Sequence, residues 1–139
     1  MKYFVVSDIH GFYSELIKAL KKRRFNDNNP EHKLIICGDV FDRGQEAIKL
    51  LNYLTELKKQ DKLILIRGNH EDLMEDCLYQ LEQDINISQH HWSNGTLDTI
   101  AQLTGIDKYM LAAHCYIYNR DIKSKMKKYF NLVKDSLDY

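Results

Sequence analysis

Three short apolar runs stand out in the hydrophobic pattern of the first half of the chain, at Tyr3 to Ser7, Leu34 to Cys37 and Leu63 to Ile66. Because the apolar residues are continuous rather than alternating, we expect strands covered on both faces, as in a parallel sheet. Between the runs, Phe12 to Lys22 and Gln45 to Lys59 carry apolar residues three and four positions apart, the spacing of amphipathic helices. The pattern therefore predicts a βαβαβ unit.

The second half of the chain has a helical pattern of apolar residues, without further strand-like runs. The predicted helices cover residues 70–84 and 96–103, with one or two further helices over residues 107–139, and a polar loop covers residues 85–94. The last predicted helix carries an apolar stripe formed by Met126, Phe130, Val133 and Leu137. Nothing along the chain resembles a linker or a repeat.

These patterns predict a single α/β domain over residues 1–139. Its core is the βαβαβ unit at residues 1–75, and residues 76–139 form a mainly helical region. A chain of this length is long enough for one buried core and too short for two ordinary domains.

Composition excludes several classes of function. The formal net charge is zero, so no global field favours nucleic acid or an anionic membrane as partner. No apolar stretch approaches the roughly 20 residues of a membrane span. The chain has three cysteines, an odd number without CxxC spacing, which disfavours both a disulfide framework and a zinc ribbon. We therefore expect a cytoplasmic protein, in which Cys37 lies in a strand as an inert packing residue.

A polar cluster follows each predicted strand: "SDIHG" after the first, "GDVFDRG" after the second and "RGNHE" after the third. In a parallel sheet with right-handed crossovers the carboxyl ends of all strands lie at one edge, which is where open α/β sheets bind ligands. Segments about 30 residues apart in the sequence are therefore expected to form one site.

Four residues of these clusters form a set of candidate metal ligands: Asp8, His10, Asp39 and Asn69. Oxygen and imidazole nitrogen donors suit Mn, Fe, Zn or Mg rather than an ion that prefers thiolates. Two such ions about 3.5 to 4 Å apart share a carboxylate in enzymes that displace groups at phosphorus. The ligand set thus indicates phosphoester chemistry.

The remaining polar residues of the clusters suit the same chemistry. The guanidinium groups of Arg43 and Arg67 each offer a fork that binds two phosphate oxygens. The imidazole of His70 is placed to protonate a leaving alcohol, and Asp42 is placed to fix its tautomer. We interpret Glu71 as a first-turn helix residue, favoured there by the helix dipole, rather than as a catalytic base.

The motifs D-x-H-G, G-D-x-x-D-R-G and R-G-N-H-E, in this order, resemble those of the calcineurin-like metallophosphoesterases, most closely the phosphoprotein phosphatase branch with its small bacterial and bacteriophage members. The similarity covers residues 3 to about 75 and extends more weakly to "HHWSNGT" at residues 90–96. Two interpretations of Trp92 and Asn94 in that segment stay open. Both residues lie at the edge of the substrate site, or Trp92 is a packed aromatic residue and Asn94 is an amide in a turn.

The resemblance implies a role for each motif residue. In this sequence Asp8 and His10 would hold a first metal, Asp39 would bridge two metals, and Asn69 would hold the second. His70 would act as general acid with Asp42 behind it. Arg43 and Arg67 would clamp the phosphate. The fold implied is the parallel half of a metallophosphoesterase sandwich.

The resemblance also implies a reaction. Members hydrolyse phosphomonoesters through a hydroxide that bridges two divalent metals, with Mn expected most and Fe, Zn or Mg as alternatives. The implied substrates are phosphoproteins or small phosphoesters. Nucleoside polyphosphates, which a sister branch cleaves, are the alternative substrates, so a nucleoside-polyphosphate hydrolase is an alternative function. Neither nucleic acid nor a membrane is an expected partner.

The chain departs from the family pattern in its second half. Members continue into a second sheet that donates further histidines, in His-Ala-Gly-like and Gly-His-Thr-like segments that are not recognisable here. His114 lies in a helical pattern and is expected to be a packing residue rather than a replacement. We therefore expect weak or partial metal occupancy. The alternative function is a truncated, catalytically impaired remnant that acts at most as a binding module. The exposed apolar surface is expected to be covered either by a second copy of the chain or by rearranged helices.

Overall fold

A computed structural model describes residues 1–83, 85–113 and 122–138, and confirms the predicted βαβαβ unit. The three strands form one parallel sheet in the order β1-β2-β3, with Val5 opposite Ile35 and Ile35 opposite Ile64. The unit consists of β1 (Lys2–Val6), α1 (Tyr13–Lys22), β2 (His32–Cys37), α2 (Ala47–Lys59) and β3 (Leu63–Ile66). Each helix follows one strand and leads to the next, so every strand ends at the same edge of the sheet.

The helical region follows the sheet, as predicted, with two differences. The helices are α3 (Asn69–Glu82), α4 (Gln89–Ser93), α5 (Thr96–Thr104), α6 (Lys108–Ala113) and α7 (Lys127–Val133). Helix α4 lies inside the segment predicted to be a polar loop. Its start is held by a tertiary contact, because the side chain of Gln80 accepts the backbone N–H of Ser88 at 2.8 Å. His114 lies outside the described residues.

The end of the chain is the second difference. The last predicted helix stops at Val133, and Leu137 forms an isolated parallel bridge with Ile66. The N–H of Leu137 donates to the carbonyl of Leu65 at 2.8 Å, and the N–H of Arg67 donates to the carbonyl of Leu137 at 2.9 Å. Backbone hydrogen bonds to the free edge of β3 thus override the helical periodicity that the apolar stripe suggests.

Among the described residues only one face of the sheet is covered, so for this part of the chain the prediction of coverage on both faces is wrong. The buried leucines of α1 and α2 join the same core cluster as one set of alternating strand residues, which is Phe4, Leu34, Ile36 and Leu65. On the other face Val5 is 61% exposed and Tyr3 is 55% exposed. Cys37 is exposed as well, so it is not the packing residue that the sequence suggested.

The apolar stripe near the carboxyl end is also buried in one part and exposed in another. Met126 is fully buried, whereas Leu137 is 56% exposed. The expectation that a second copy of the chain covers the open face stays a prediction. Among the described residues no helix is both long enough and apolar enough to cross a membrane.

Candidate active site

The three polar motifs meet at the carboxyl edge of the sheet, where backbone groups join them directly. The N–H of Asp8 donates to the carbonyl of Gly38 at 3.3 Å, and the N–H of His10 donates to the carbonyl of Asp39 at 3.0 Å. The N–H of His70 donates to the Asp39 carboxylate at 3.0 Å. Asp39 therefore stands at the centre of the assembly, bonded to both neighbouring motifs.

The backbone of this edge is unusual, because five motif residues other than glycine have positive φ. They are Asp8 (54°), His10 (50°), Asp39 (56°), Asp42 (75°) and Arg43 (75°). The left-handed conformation costs an L-residue roughly 1 to 2 kcal/mol, and such residues cluster at functional sites. Sequence analysis missed this feature; the only signal was the concentration of Asp and His, which tolerate positive φ better than most residues.

The candidate metal ligands of the first motif lie side by side. Nδ1 of His10 is 3.2 Å from the carbonyl oxygen of Phe41 and donates a hydrogen bond to it, so Nε2 is the ring nitrogen available to a metal. That Nε2 lies 3.6 Å from the Asp8 carboxylate. A hydrogen bond from the Ser7 side chain is the main cause that lowers the pKa of Asp8. His10 and Asp8 thus place an imidazole nitrogen beside a carboxylate oxygen, two kinds of atom that bind a divalent cation.

Asp39 connects this pair to the third motif. One ligand atom each of His10, Asp39 and His70 lies within 4.8 Å of the others. The side-chain amide of Asn69 has one atom 3.1 Å from both oxygens of the Asp39 carboxylate. If that atom is the amide nitrogen, it donates hydrogen bonds to the carboxylate. If it is the amide oxygen, it faces the two carboxylate oxygens of Asp39, and a cation between the three oxygens removes their repulsion. The donor set therefore fits a divalent ion of the kind that prefers oxygen and imidazole ligands.

His70 and Asp42 form a buried pair. Nδ1 of His70 lies 2.8 Å from Oδ2 of Asp42, and both side chains are almost fully buried. The Asp42 carboxylate also accepts the hydroxyl protons of Thr96 at 3.0 Å and Thr99 at 2.7 Å. With Nδ1 protonated and held, Nε2 of His70 is the atom left for chemistry, and the ring stacks edge-on against His10 at 4.7 Å between centroids.

Thr96 and Thr99 were missed by the sequence analysis. They lie three positions apart at the start of α5, so their side chains share one helix face. The hydroxyl of Thr99 also accepts the backbone N–H of Asp42 at 3.0 Å. The "NGT" ending of the weakly matching segment was the available signal, because its threonine supplies one of the two hydroxyls.

Glu71 occupies the first turn of α3, as the sequence analysis expected, but it does more than interact with the helix dipole. Its buried carboxylate accepts the backbone N–H groups of Gly68 at 2.9 Å, Asp39 at 3.1 Å and Val40 at 3.0 Å. The acid therefore fixes the loop after β2 against the loop after β3. It is a positioning residue beside the candidate metal site.

The two arginines differ in their surroundings. The guanidinium of Arg67 forms ion pairs with Asp72 at 2.9 Å and Glu75 at 2.7 Å, and these contacts raise the pKa of Arg67, the hydrogen bond to Glu75 most. The side chain of Arg43 is exposed and forms no ion pair with any other described residue. The phosphate-clamp role of both residues stays a prediction.

The segment that resembles Trp-x-Asn-Gly packs next to the site. Trp92 is half-buried and its ring lies 5.5 Å from that of Tyr109, while Asn94 ends α4. Gly95, with φ of 85°, leaves no room for a side chain, because an added Cβ would lie 2.5 Å from the backbone nitrogen of Arg43. The close contact between Gly95 and Arg43 brings this segment against the second motif.

A comparison with protein families identifies the chain. The family model for calcineurin-like phosphoesterase matches residues 1–135. The chain belongs to the calcineurin-like phosphoesterases. Divalent metals are the cofactors of this metallophosphoesterase family, in agreement with the donor set at the sheet edge.

Several curated relatives in this family are similar to the chain. A symmetrical bis(5'-nucleosyl)-tetraphosphatase of Buchnera aphidicola is 44% identical over 71 residues, which are 51% of this chain and 24% of the relative. The asymmetrical bis(5'-nucleosyl)-tetraphosphatase PrpE of Anoxybacillus flavithermus is 30% identical over 114 residues, 78% of this chain and 44% of the relative. Serine/threonine-protein phosphatase 1 of Salmonella typhimurium is 38% identical over 75 residues, 53% of this chain and 32% of the relative.

The chain therefore spans less than half the length of each of these calcineurin-like phosphoesterases. No solved structure matches the chain.

Proposed function

We propose that the protein is a metal-dependent phosphoester hydrolase. The observation that carries the proposal is the cluster at the sheet edge, where donor atoms of His10, Asp39 and His70 lie within 4.8 Å of one another. Membership of the calcineurin-like phosphoesterases supports the same reaction class.

The motif residues divide between two metal positions. Asp8, His10 and Asp39 would hold one divalent ion, and Asp39 and Asn69 would hold the other. When bound, such a pair of ions polarises a phosphoryl oxygen and activates water for in-line displacement. Mn is the first metal to test, with Fe, Zn and Mg as alternatives, since all four accept oxygen and nitrogen donors.

His70 is the proposed general acid. Its Nδ1 proton is held by the Asp42 carboxylate at 2.8 Å, so the ring is fixed with Nε2 toward the cluster. A nearby carboxylate also stabilises the imidazolium form, which is the form that gives a proton to the leaving oxygen. Thr96 and Thr99 keep Asp42 in place through their hydroxyl groups.

Arg43 and Arg67 are proposed to bind the phosphoryl oxygens. Arg43, in the second motif, is exposed, and among the described residues it has no ion pair that substrate binding would have to break. When substrate binds, Arg67 would release its ion pairs with Asp72 and Glu75 and bind the phosphoryl oxygens instead. A fork of two N–H groups matches two phosphoryl oxygens and stabilises the charge that grows on them.

A dinucleoside polyphosphate is the first substrate candidate. A relative that matches 78% of this chain carries the name of an asymmetrical bis(5'-nucleosyl)-tetraphosphatase. A phosphoprotein is the second candidate, supported by the similarity to serine/threonine-protein phosphatase 1 over 75 residues.

A direct assay tests the proposal. Purified chain with added Mn²⁺ is given diadenosine tetraphosphate, p-nitrophenyl phosphate and a phosphoserine peptide in parallel. We expect hydrolysis of at least one substrate, and a loss of at least about 100-fold in Asp39→Asn, since a central ligand matters at least as much as an outer partner. Asp61→Asn is the matched control, because Asp61 is also an aspartate with positive φ (56°) but lies after α2 and is exposed.

One outcome of this assay would contradict the proposal. If Mn²⁺, Fe²⁺, Zn²⁺ and Mg²⁺ all fail to support turnover of every substrate, the proposed hydrolase is rejected in favour of the binding module.

A further inference from the structure

A second group of metal-binding side chains lies outside the candidate active site. It consists of Asp76 on α3 and of His90 and His91 on α4, and one ligand atom of each lies within 4.8 Å of the others. Nε2 of His91 is 2.7 Å from Oδ2 of Asp76, and Nε2 of His90 is 3.7 Å from the same oxygen. Two imidazoles therefore converge on one carboxylate.

The three side chains differ in exposure in a way that suits an ion site. The side chain of His91 is fully buried, whereas those of His90 and Asp76 are 47% and 49% exposed. An ion can enter from solvent on the open side, and water can occupy a remaining position there. The two exposed side chains can also move by the few tenths of an ångström that coordination requires, while His91 stays fixed.

The two ring nitrogens of His91 have different surroundings. Its Nε2 faces the Asp76 carboxylate, while its buried Nδ1 has no hydrogen-bond partner among the described residues. Metal and proton compete for the same nitrogen, so an ion bound through Nε2 would leave the single proton of the neutral ring on Nδ1. The lack of a partner for that proton lowers the affinity expected of the site, while the burial of the ring keeps Nε2 directed at the carboxylate.

The fold holds the cluster together without help from an ion. Gln80, one helical turn after Asp76, donates to Oδ2 of Asp76 at 3.1 Å and to the hydroxyl of Ser88 at 2.8 Å. The side-chain oxygen of Gln80 accepts the N–H of Ser88, which directly precedes α4. The start of α4 is thereby fixed against α3, and the two histidines are brought to Asp76.

We propose that Asp76, His90 and His91 form a binding site for a zinc-class divalent ion, with the two Nε2 atoms and one carboxylate oxygen as ligands and water in the fourth position. Two histidines and one carboxylate are a known zinc set, and bonds of about 2.0 to 2.2 Å in a tetrahedron place neighbouring ligand atoms about 3.3 to 3.6 Å apart. The separations of 2.7 and 3.7 Å bracket that range.

The site joins two segments that lead to the active site. Helix α4 is followed by Gly95, which packs on the backbone of Arg43, and by Thr96, whose hydroxyl binds Asp42. An ion between α3 and α4 would therefore stabilise the segment that holds the Asp42 side chain. This role is structural and does not depend on the proposed hydrolase activity.

Zinc titration of the full chain tests the site. The background is Asp39→Asn, which removes the central ligand of the candidate active site, and metal is first removed with EDTA. Isothermal titration calorimetry with ZnCl₂ is then compared in this background and with His90→Ala added. We expect one zinc equivalent in the background that His90→Ala abolishes or weakens at least tenfold.

Two further variants make the result decisive. Gln89→Ala, on the neighbouring exposed position of α4, is the matched control and should leave the zinc equivalent unchanged. Asp76→Asn keeps a hydrogen-bond acceptor for His91 but loses the charge, and should also weaken binding. Circular dichroism checks that each variant is folded. If the background binds no zinc, or if His90→Ala and Asp76→Asn bind it as tightly as the background, the cluster is a set of hydrogen-bonded side chains and the proposal is wrong.

Discussion

Glu71 and Asp39 are joined by a hydrogen bond of 3.1 Å from the backbone N–H of Asp39 to the buried Glu71 carboxylate. The same carboxylate accepts the N–H groups of Gly68 and Val40, so one side chain satisfies three backbone donors from two loops. The ends of β2 and β3 are therefore locked together by an acid that need not touch substrate.

Glu71→Gln is expected to lower the free energy of unfolding by about 2 to 3 kcal/mol. The amide NH₂ of glutamine would face a buried backbone N–H, and neither of these two donors would have an acceptor. Urea denaturation measures the change. Glu75→Gln is the control: Glu75 is exposed and pairs only across the surface with Arg67, so its loss should change stability by no more than about 1 kcal/mol. Equal effects of the two variants would contradict the bridging role of Glu71.

The Asp42→Asn variant tests how His70 is oriented. Asparagine cannot stabilise an imidazolium, and its amide offers a donor where Nδ1–H of His70 needs an acceptor. If the chain is a hydrolase, kcat should fall about 100-fold, in the range expected for impaired general acid catalysis. Steady-state kinetics with a metal titration separate the effects, since the metal concentration for half-maximal activity should stay the same. An unchanged kcat would exclude Asp42 as the partner of the general acid.

Gly95→Ala and Gly105→Ala separate backbone strain from steric contact. Both glycines have positive φ, 85° and 72°, so alanine is strained at each by roughly 1 to 2 kcal/mol. An added Cβ meets no atom within 4 Å at Gly105 but lies 2.5 Å from the Arg43 nitrogen at Gly95. We expect Gly95→Ala to be more destabilising by about 1 to 3 kcal/mol, the usual range for overpacking. Thermal or urea unfolding of the two variants measures the difference. Similar losses of stability in both would show that the Arg43 backbone moves away from the added Cβ at little cost.

Tyr53 is expected to make the protein sensitive to alkali. Burial raises the pKa of Tyr53 to about 12 from the ordinary value of 10. Between these values the unfolded chain has lost the phenolic proton and the folded chain still holds it, so the free energy of unfolding falls as pH rises from about 10 to about 12. Tyr53→Phe should reduce this slope, as measured by urea denaturation at several pH values. The exposed Tyr109→Phe is the control, and an identical slope in the wild type and both variants would contradict the prediction.

The central residues of the site were predictable because they follow strands. Asp8, Asp39 and Asn69 each come directly after an apolar run or its glycine, and a parallel sheet brings such positions to one edge whatever the details of the helices. The hydroxyl groups behind Asp42 were not predictable in that way. Thr96 and Thr99 lie 54 and 57 residues from Asp42, and their contacts depend on how α5 packs.

Two errors in the predicted fold have a common physical origin. A continuous apolar run does not reveal which side of a strand is covered, so the exposure of Val5 could not be read from its neighbours. An apolar stripe likewise does not reveal where tertiary hydrogen bonds end a helix. Leu137 continues the helical spacing of Met126 and Val133, yet its backbone bonds to the edge of β3. Both outcomes depend on contacts that are distant in the sequence.

The proposed metal ligands come together only when the whole sheet has formed. Asp8, Asp39 and Asn69 are separated by about 30 residues at each step, and no two of them are near neighbours along the chain. The two proposed ion positions together need all three residues, so both can be complete only after both crossovers have closed, which is slow because the contacts are non-local. Metal bound at this edge would therefore slow unfolding of the finished fold rather than speed its formation.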